Sequence, residues 1–156
     1  MTRHEWGRPA VRTQHERSTG DALSADPVRV LVVDDEPAIC RALSIALTRA
    51  GYDVATAHSG DSALALLASR PIDVMVIDLR IPDTRGDVVF ELAAATYPHL
   101  RNRTLFMTGD ISERAYKLIL SCKCPSLRKP FELKELIDAV HALAPARAKT
   151  ARGQTA

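Results

Sequence analysis

The sequence predicts an α/β domain built on a parallel sheet, and three observations carry that expectation. From Val28 to Leu143, short apolar stretches alternate with segments of helical period, joined by brief connections. Five such strand–helix units imply parallel strands, because each right-handed crossover lays a helix on a face of the sheet. The stretch Val74-Met75-Val76-Ile77 is continuously apolar, as expected of a strand covered on both faces. Finally, four of the apolar stretches run out onto residues that can handle a phosphate: Asp34-Asp35, Asp78, Thr108 and Lys129-Pro130. Parallel sheets place their ligands at the carboxyl ends of the strands, so these side chains are expected to converge there.

Taken in order, Val30-Leu31-Val32-Val33 is the first strand. Ile39, Leu43, Ala46, Leu47 and Ala50 recur at helical spacing and stop at Gly51, a suitable terminator. Asp53 to Ala57 is a short strand, after which Ser59 can cap a helix ending before Pro71, with Leu64, Leu67 and Ala68 facing inward. Asp73 to Asp78 is the central strand. A turn holding Pro82 and Gly86 leads to a helix with Val89, Leu92, Ala93 and Thr96 on one side. Arg103 to Thr108 is the fourth strand, and Ile111, Ala115, Leu118 and Cys122 mark the next helix. A short strand then runs from Cys124 to Arg128, and Glu132 to Leu143 closes the domain with Leu133, Leu136, Ile137 and Val140 inward.

The 156 residues suit one domain of residues 28–144 flanked by two flexible tails, residues 1–27 and 145–156. Neither tail has an apolar period, and Trp6 reads as incidental. The formal net charge of +2 resides in the last segment, with Arg147, Lys149 and Arg152, so it says little about the domain's partners. No apolar run is long enough to span a membrane, and no secretion signal is visible. Cys40, Cys122 and Cys124 read as small buried thiols, and a cytoplasmic location is expected.

Asp34, Asp35 and Asp78 gathered in one pocket would repel each other unless a cation neutralised them. Mg²⁺ is the expected cation, since it takes oxygen ligands and keeps waters that a phosphate can replace. Asp78, alone at the end of its strand, is the best placed nucleophile, because a carboxylate can attack a phosphoryl group to form an acyl phosphate. Lys129 would pair with the phosphoryl oxygens as a point charge, and Thr108 could donate to another.

The set Asp34-Asp35, Asp78, Thr108 and Lys129-Pro130 resembles the receiver domain of bacterial two-component response regulators. Val32 to Pro37, Ser59 to Leu64, Asp78 to Pro82 and Lys129-Pro130-Phe131 are similar in wording too. The resemblance implies a flavodoxin-like five-stranded sheet of order 2-1-3-4-5. It implies a phosphoryl group passed from a histidine kinase or histidine phosphotransfer protein to Asp78. Asp34, Asp35, Asp78 and the main-chain carbonyl of Arg80 would hold Mg²⁺, Thr108 and Lys129 would bind the phosphoryl oxygens, and the Lys129–Pro130 bond would be cis. Such a domain is a switch in a phosphorelay, not an enzyme beyond its own Mg²⁺-dependent phosphorylation and dephosphorylation.

Two departures qualify the likeness. Many members carry an aromatic residue three before the Lys, which swings inward when the Thr engages phosphate; here it is Ser126. Nothing after Leu143 reads as an output domain, so the expectation is a stand-alone receiver acting on a downstream protein, with no DNA-binding domain and no membrane. A haloacid-dehalogenase-type phosphatase would need an Asp where Arg80 stands. A dinucleotide-binding domain would need glycines where Asp-Asp-Glu-Pro follows the first strand. A phosphorylation-independent interaction module is the remaining alternative, and the intact acid cluster argues against it.

Overall fold

A computed structural model describes residues 26–110 and 112–146. Most of both tails, Trp6, the basic side chains from Arg147 onward, and Ile111 lie outside the described residues. The strands are β1 (Arg29–Val33), β2 (Asp53–Ala57), β3 (Val74–Asp78), β4 (Thr104–Thr108) and β5 (Ser126–Arg128). The helices are α1 (Pro37–Arg49), α2 (Gly60–Ser69), α3 (Gly86–Thr96), α4 (Glu113–Cys122) and α5 (Leu133–Leu143), with a 3-10 turn at Pro98–Asn102 that the sequence did not announce. All pairings are parallel and the strand order is β2-β1-β3-β4-β5.

The pleat divides the core in two. Leu31, Val33, Met75, Ile77 and Phe106 face α2, α3 and α4, whereas Val30, Val32, Val76, Leu105 and Met107 face α1 and α5. Every residue of β3 and β4 is buried, which is why these strands read as continuous apolar runs rather than alternating ones. Phe90 on α3 meets Phe106 on β4 edge-to-face, with centroids 5.5 Å apart.

That aromatic pair sets the rotation of α3 and corrects the expected inner face. Val89, Phe90, Ala93 and Ala94 are buried, while Leu92 and Thr96 are exposed. Burying a whole ring gains more than burying Leu92 would, so the helix turns toward Phe90. On α2 the inner face is Ala63 and Leu67, with Leu64 half-buried and Ala68 exposed. On α5, Leu133 is exposed because it opens the first turn, beyond the sheet; Leu136 and Val140 carry the contact.

The caps follow the local sequence. Gly51 stands just past α1 at φ +95°, where a Cβ would be strained. Ser59 Oγ accepts from Ser62 N at 3.1 Å, and Ser62 Oγ accepts from Ser59 N at 3.1 Å. The remaining free N–H groups of α2 are met from a distance: Asp83 Oδ1 and Oδ2 accept from Gly60 N at 2.9 Å and Asp61 N at 3.0 Å. The loop after β3 is thereby clamped to α2. These two N–H groups hold the Asp83 carboxyl below the usual carboxylate range. A depressed folded value means the stabilisation is present above the unfolded pKa of about 4 and is lost as pH falls through the folded value. Thermal melts of Asp83→Asn should therefore depend less steeply on pH than wild type below about pH 4. Parallel profiles for the two proteins would remove the carboxylate from the cap.

Candidate functional site

At the carboxyl edge of the sheet, Asp34 follows β1 and Asp78 ends β3, two neighbouring central strands. Both carboxylates are held in the same way. Asp34 Oδ1 accepts from Glu36 N at 2.9 Å and Asp78 Oδ1 accepts from Arg80 N at 2.7 Å, each a turn onto the backbone two residues ahead. Their second oxygens share one cation: Lys129 Nζ donates to Asp34 Oδ2 at 2.6 Å and to Asp78 Oδ2 at 2.5 Å. Asp34 is wholly buried and Asp78 nearly so. Asp35 is exposed and makes no ion pair among the described residues.

Burial pushes the Asp78 carboxyl above its ordinary range, against the pull of Lys129 and the Arg80 N–H. Burial would also lower Lys129, but its bonds to Asp34 and Asp78 outweigh that and hold the ammonium above the usual lysine range. The pocket is thus a protonated amine between two desolvated carboxylates.

Asp34, Asp35 and Asp78 each offer a carboxylate oxygen, and these oxygens lie within 4.8 Å of one another. An all-oxygen donor set of three carboxylates fits a hard divalent cation such as Mg²⁺.

Lys129 and Thr108 reach the site from the far side of the sheet. Lys129 N donates to Thr108 O at 2.8 Å, so β5 delivers the lysine beside the end of β4, and the Lys129–Pro130 bond is cis. The Thr108 hydroxyl is turned onto the next loop, accepting from Asp110 N at 3.0 Å and donating to Asp110 O at 3.2 Å. Ser126 is exposed on β5, on the edge of the sheet.

Three features of the site carried no sequence signal strong enough to single them out. The Asp34 carbonyl accepts from Cys40 Sγ at 3.3 Å and from His58 Nδ1 at 3.2 Å. A carbonyl can only accept, so Nδ1 carries the His58 proton. These bonds pin the start of the β1–α1 loop, and burial together with Asp34 pushes the Cys40 thiol up to about 11. The third is Gly86, at the start of α3. A Cβ there would stand 2.2 Å from the Asp78 carbonyl oxygen, so the glycine lets α3 begin against the backbone of Asp78. Its position after a Pro-containing turn was the available hint.

A five-stranded doubly wound sheet with paired acids, a hydroxyl and a lysine at its carboxyl edge defines a receiver-type signalling domain. The chain belongs to the response regulator receiver domain family, whose profile matches residues 30–141. It is 33% identical over 144 residues to the transcriptional regulatory protein TrcR of Mycobacterium tuberculosis, covering 91% of this chain and 54% of that protein. It is 37% identical over 117 residues to the response regulator MprA of Mycolicibacterium vanbaalenii, covering 75% of this chain and 50% of the relative. Among solved structures, it resembles the response regulator TrrA of Thermotoga maritima in complex with Mg²⁺ and beryllium fluoride. That match has a TM-score of 0.66 and 28% identity, and covers 74% of this chain and 98% of the other. The chemotaxis protein CheY4 of Vibrio cholerae is similar, with a TM-score of 0.68, 26% identity and 75% and 98% of the two chains covered.

These relatives overturn one expectation. The reading of a stand-alone receiver with no DNA-binding domain does not hold against matches to proteins named as transcriptional regulators. The chain spans about half the length of the curated relatives TrcR and MprA. The residues of a receiver encode its own core and phosphate pocket, and those are common to regulators joined to different outputs. Composition beyond Leu143 was therefore no guide to the output. Among the described residues no helix is long and apolar enough to cross a membrane.

Proposed function

We propose that the chain is a phosphorylatable switch that receives a phosphoryl group on Asp78 from a histidine kinase or a histidine phosphotransfer protein. The observation that carries this reading is the convergence of Asp34, Asp35 and Asp78 with Lys129 Nζ bonded to two of them. Asp34, Asp35, Asp78 and the Arg80 carbonyl would hold Mg²⁺. The bound ion would neutralise charge on the transferring phosphoryl group and on the acids.

In the transfer, an Asp78 carboxylate oxygen forms a bond to phosphorus as the phosphorus–nitrogen bond of the donor histidine breaks. The donor ring, protonated on its other nitrogen, keeps the bonding pair and leaves as neutral imidazole, and Asp78 is left as an acyl phosphate. Lys129 shifts from the carboxylates to a phosphoryl oxygen, and Thr108 turns its hydroxyl from the Asp110 carbonyl to another. The Asp34 turn stays in place through Cys40 and His58. With Ser126 in place of an aromatic ring, the movement of Thr108 has no ring to carry with it. Residues 28–144 hold every group this chemistry uses.

Incubation with acetyl phosphate and Mg²⁺ should add one phosphoryl group by mass, and Asp78→Asn should accept none. Modification that persists in Asp78→Asn, or proceeds in EDTA, would refute the assignment.

The lifetime of the acyl phosphate is expected to depend on a pair at the mouth of the site. Arg80 donates to Asp110 Oδ2 at 3.1 Å, joining the loops after β3 and β4 across the pocket. We assign this pair the role of obstructing the water that hydrolyses the acyl phosphate. Arg80→Ala and Asp110→Ala should each speed phosphoryl loss, and the double variant should be little faster than either. Additive effects would make the two residues independent.

A further inference from the structure

At the opposite end of the sheet from Asp78 lies a cavity of about 550 Å³, within the size range of small-molecule sites. It opens between the end of α2 and the 3-10 turn, where β1, β3 and β4 begin. Its lining combines apolar residues, Leu67, Pro71, Ile72 and Tyr97, with three arginines, Arg29, Arg70 and Arg103, and one carboxylate, Asp73. The first two guanidiniums are held in place by carboxylates: Arg29 Nε donates to Asp73 Oδ2 at 3.0 Å, and an Arg70 terminal nitrogen donates to Asp53 Oδ2 at 2.8 Å. Arg29 also donates from a terminal nitrogen to Asp73 Oδ1 at 3.4 Å, so its other terminal nitrogen and the remaining N–H groups of Arg70 are the donors these pairs leave. Arg103, the third guanidinium at the cavity, makes no ion pair among the described residues. His99, also at the cavity, donates from Nε2 to the Ile72 carbonyl at 2.7 Å, which ties the 3-10 turn to the residues before β3.

We propose that this cavity is a second ligand site, independent of the phosphorylation pocket, which takes a small molecule with an oxyanion head on a flat or apolar body. Oriented guanidinium forks match the paired oxygens of a phosphate or carboxylate. Leu67, Ile72 and Tyr97 in the same lining would cover an apolar body that a bare inorganic ion lacks. The placement at the amino edge of the strands means that a bound ligand touches no residue of the acid cluster.

The test is amide chemical-shift mapping on the full chain with four probes: adenosine monophosphate, benzoate, inorganic phosphate and uncharged adenosine. Saturable shifts at Arg70, Ile72 and Asp73 and across Tyr97 to Arg103 are expected with the monophosphate, with benzoate, or with both. The probe that binds tells a phosphate head from a carboxylate head. Inorganic phosphate and adenosine should bind more weakly, since each lacks one half of the ligand. Arg103→Ala and the polar variant Arg103→Gln should each weaken binding about ten-fold or more, the usual consequence of losing a charged hydrogen bond. The proposal is overturned if neither anion shifts these amides at millimolar concentration. Equal binding of adenosine and its monophosphate, indifference of both Arg103 variants, or shifts confined to the Asp78 end would overturn it as well.

Discussion

Lys129→Met should lower the stability of the metal-free protein by about 3 kcal/mol, the scale seen when one partner is removed from a buried ion pair. Asp34 and Asp78 are both buried and share the Lys129 ammonium at 2.6 Å and 2.5 Å. Without it, two close carboxylates face each other in a desolvated pocket, each keeping only its turn hydrogen bond. Mg²⁺ should restore much of the loss if it binds the same acids, so urea melts with and without the ion should differ more in the variant than in wild type. Phosphorylation from acetyl phosphate should slow sharply, because no ammonium remains to meet the phosphoryl oxygens that the metal does not hold. A variant as stable as wild type without metal would mean that the amine is a spectator in the fold. Removing one of the acids should destabilise the fold as well. Lys129 already offsets the repulsion of Asp34 and Asp78, so Asp34→Ala should destabilise by about 1.5–3 kcal/mol through its lost charged hydrogen bonds, whereas exposed Asp35 makes no such bond among the described residues.

The second large effect is expected at Gly86. In Gly86→Ala the new methyl would meet the Asp78 carbonyl oxygen at 2.2 Å and the Leu79 Cα at 3.0 Å. Both obstacles are backbone, and Leu79 is tied in turn by its N–H to the Met107 carbonyl at 3.0 Å. The start of α3 or the end of β3 must therefore move. Overpacking of this kind typically costs about 1–3 kcal/mol. A displacement of the nucleophile near 1 Å costs roughly 100-fold in rate, so phosphorylation should suffer more than folding does. Gly60→Ala is the comparison for phosphorylation: its nearest atoms are side-chain methyls of Thr84 at 2.3 Å and buried Val89 at 3.0 Å, so it should cost stability without meeting the Asp78 backbone. Gly109→Ala meets nothing within 4 Å and should be near neutral. If Gly86→Ala folds and accepts phosphate like wild type, the close approach of α3 to Asp78 is not required.

The strand–helix alternation, the parallel sheet and the strand ends that carry the acids were legible from periodicity, because β-strands and amphipathic helices print their burial directly onto the chain. The same holds for Gly51 after α1 and Ser59 before α2, whose roles depend only on neighbours within a few residues. The gathering of Asp34, Asp35, Asp78 and Lys129 at one edge was legible through their positions at strand ends and their likeness to a known family. Helix rotation was not. The apolar residues of α3 fit more than one inward face, and only the ring of Phe106 across the gap selects the one with Phe90 inside. Leu133 shows the same limit, since an apolar residue in a first turn is buried only if something lies beneath it. What the tertiary structure alone decided is the electrostatic state of the pocket. Lys129 lies 51 residues from Asp78 and 95 from Asp34, and the clamp of Asp83 on α2 spans 23. No local pattern can specify such contacts; they exist because the crossovers bring separate strand ends to one edge, where desolvation makes each charge dependent on the others.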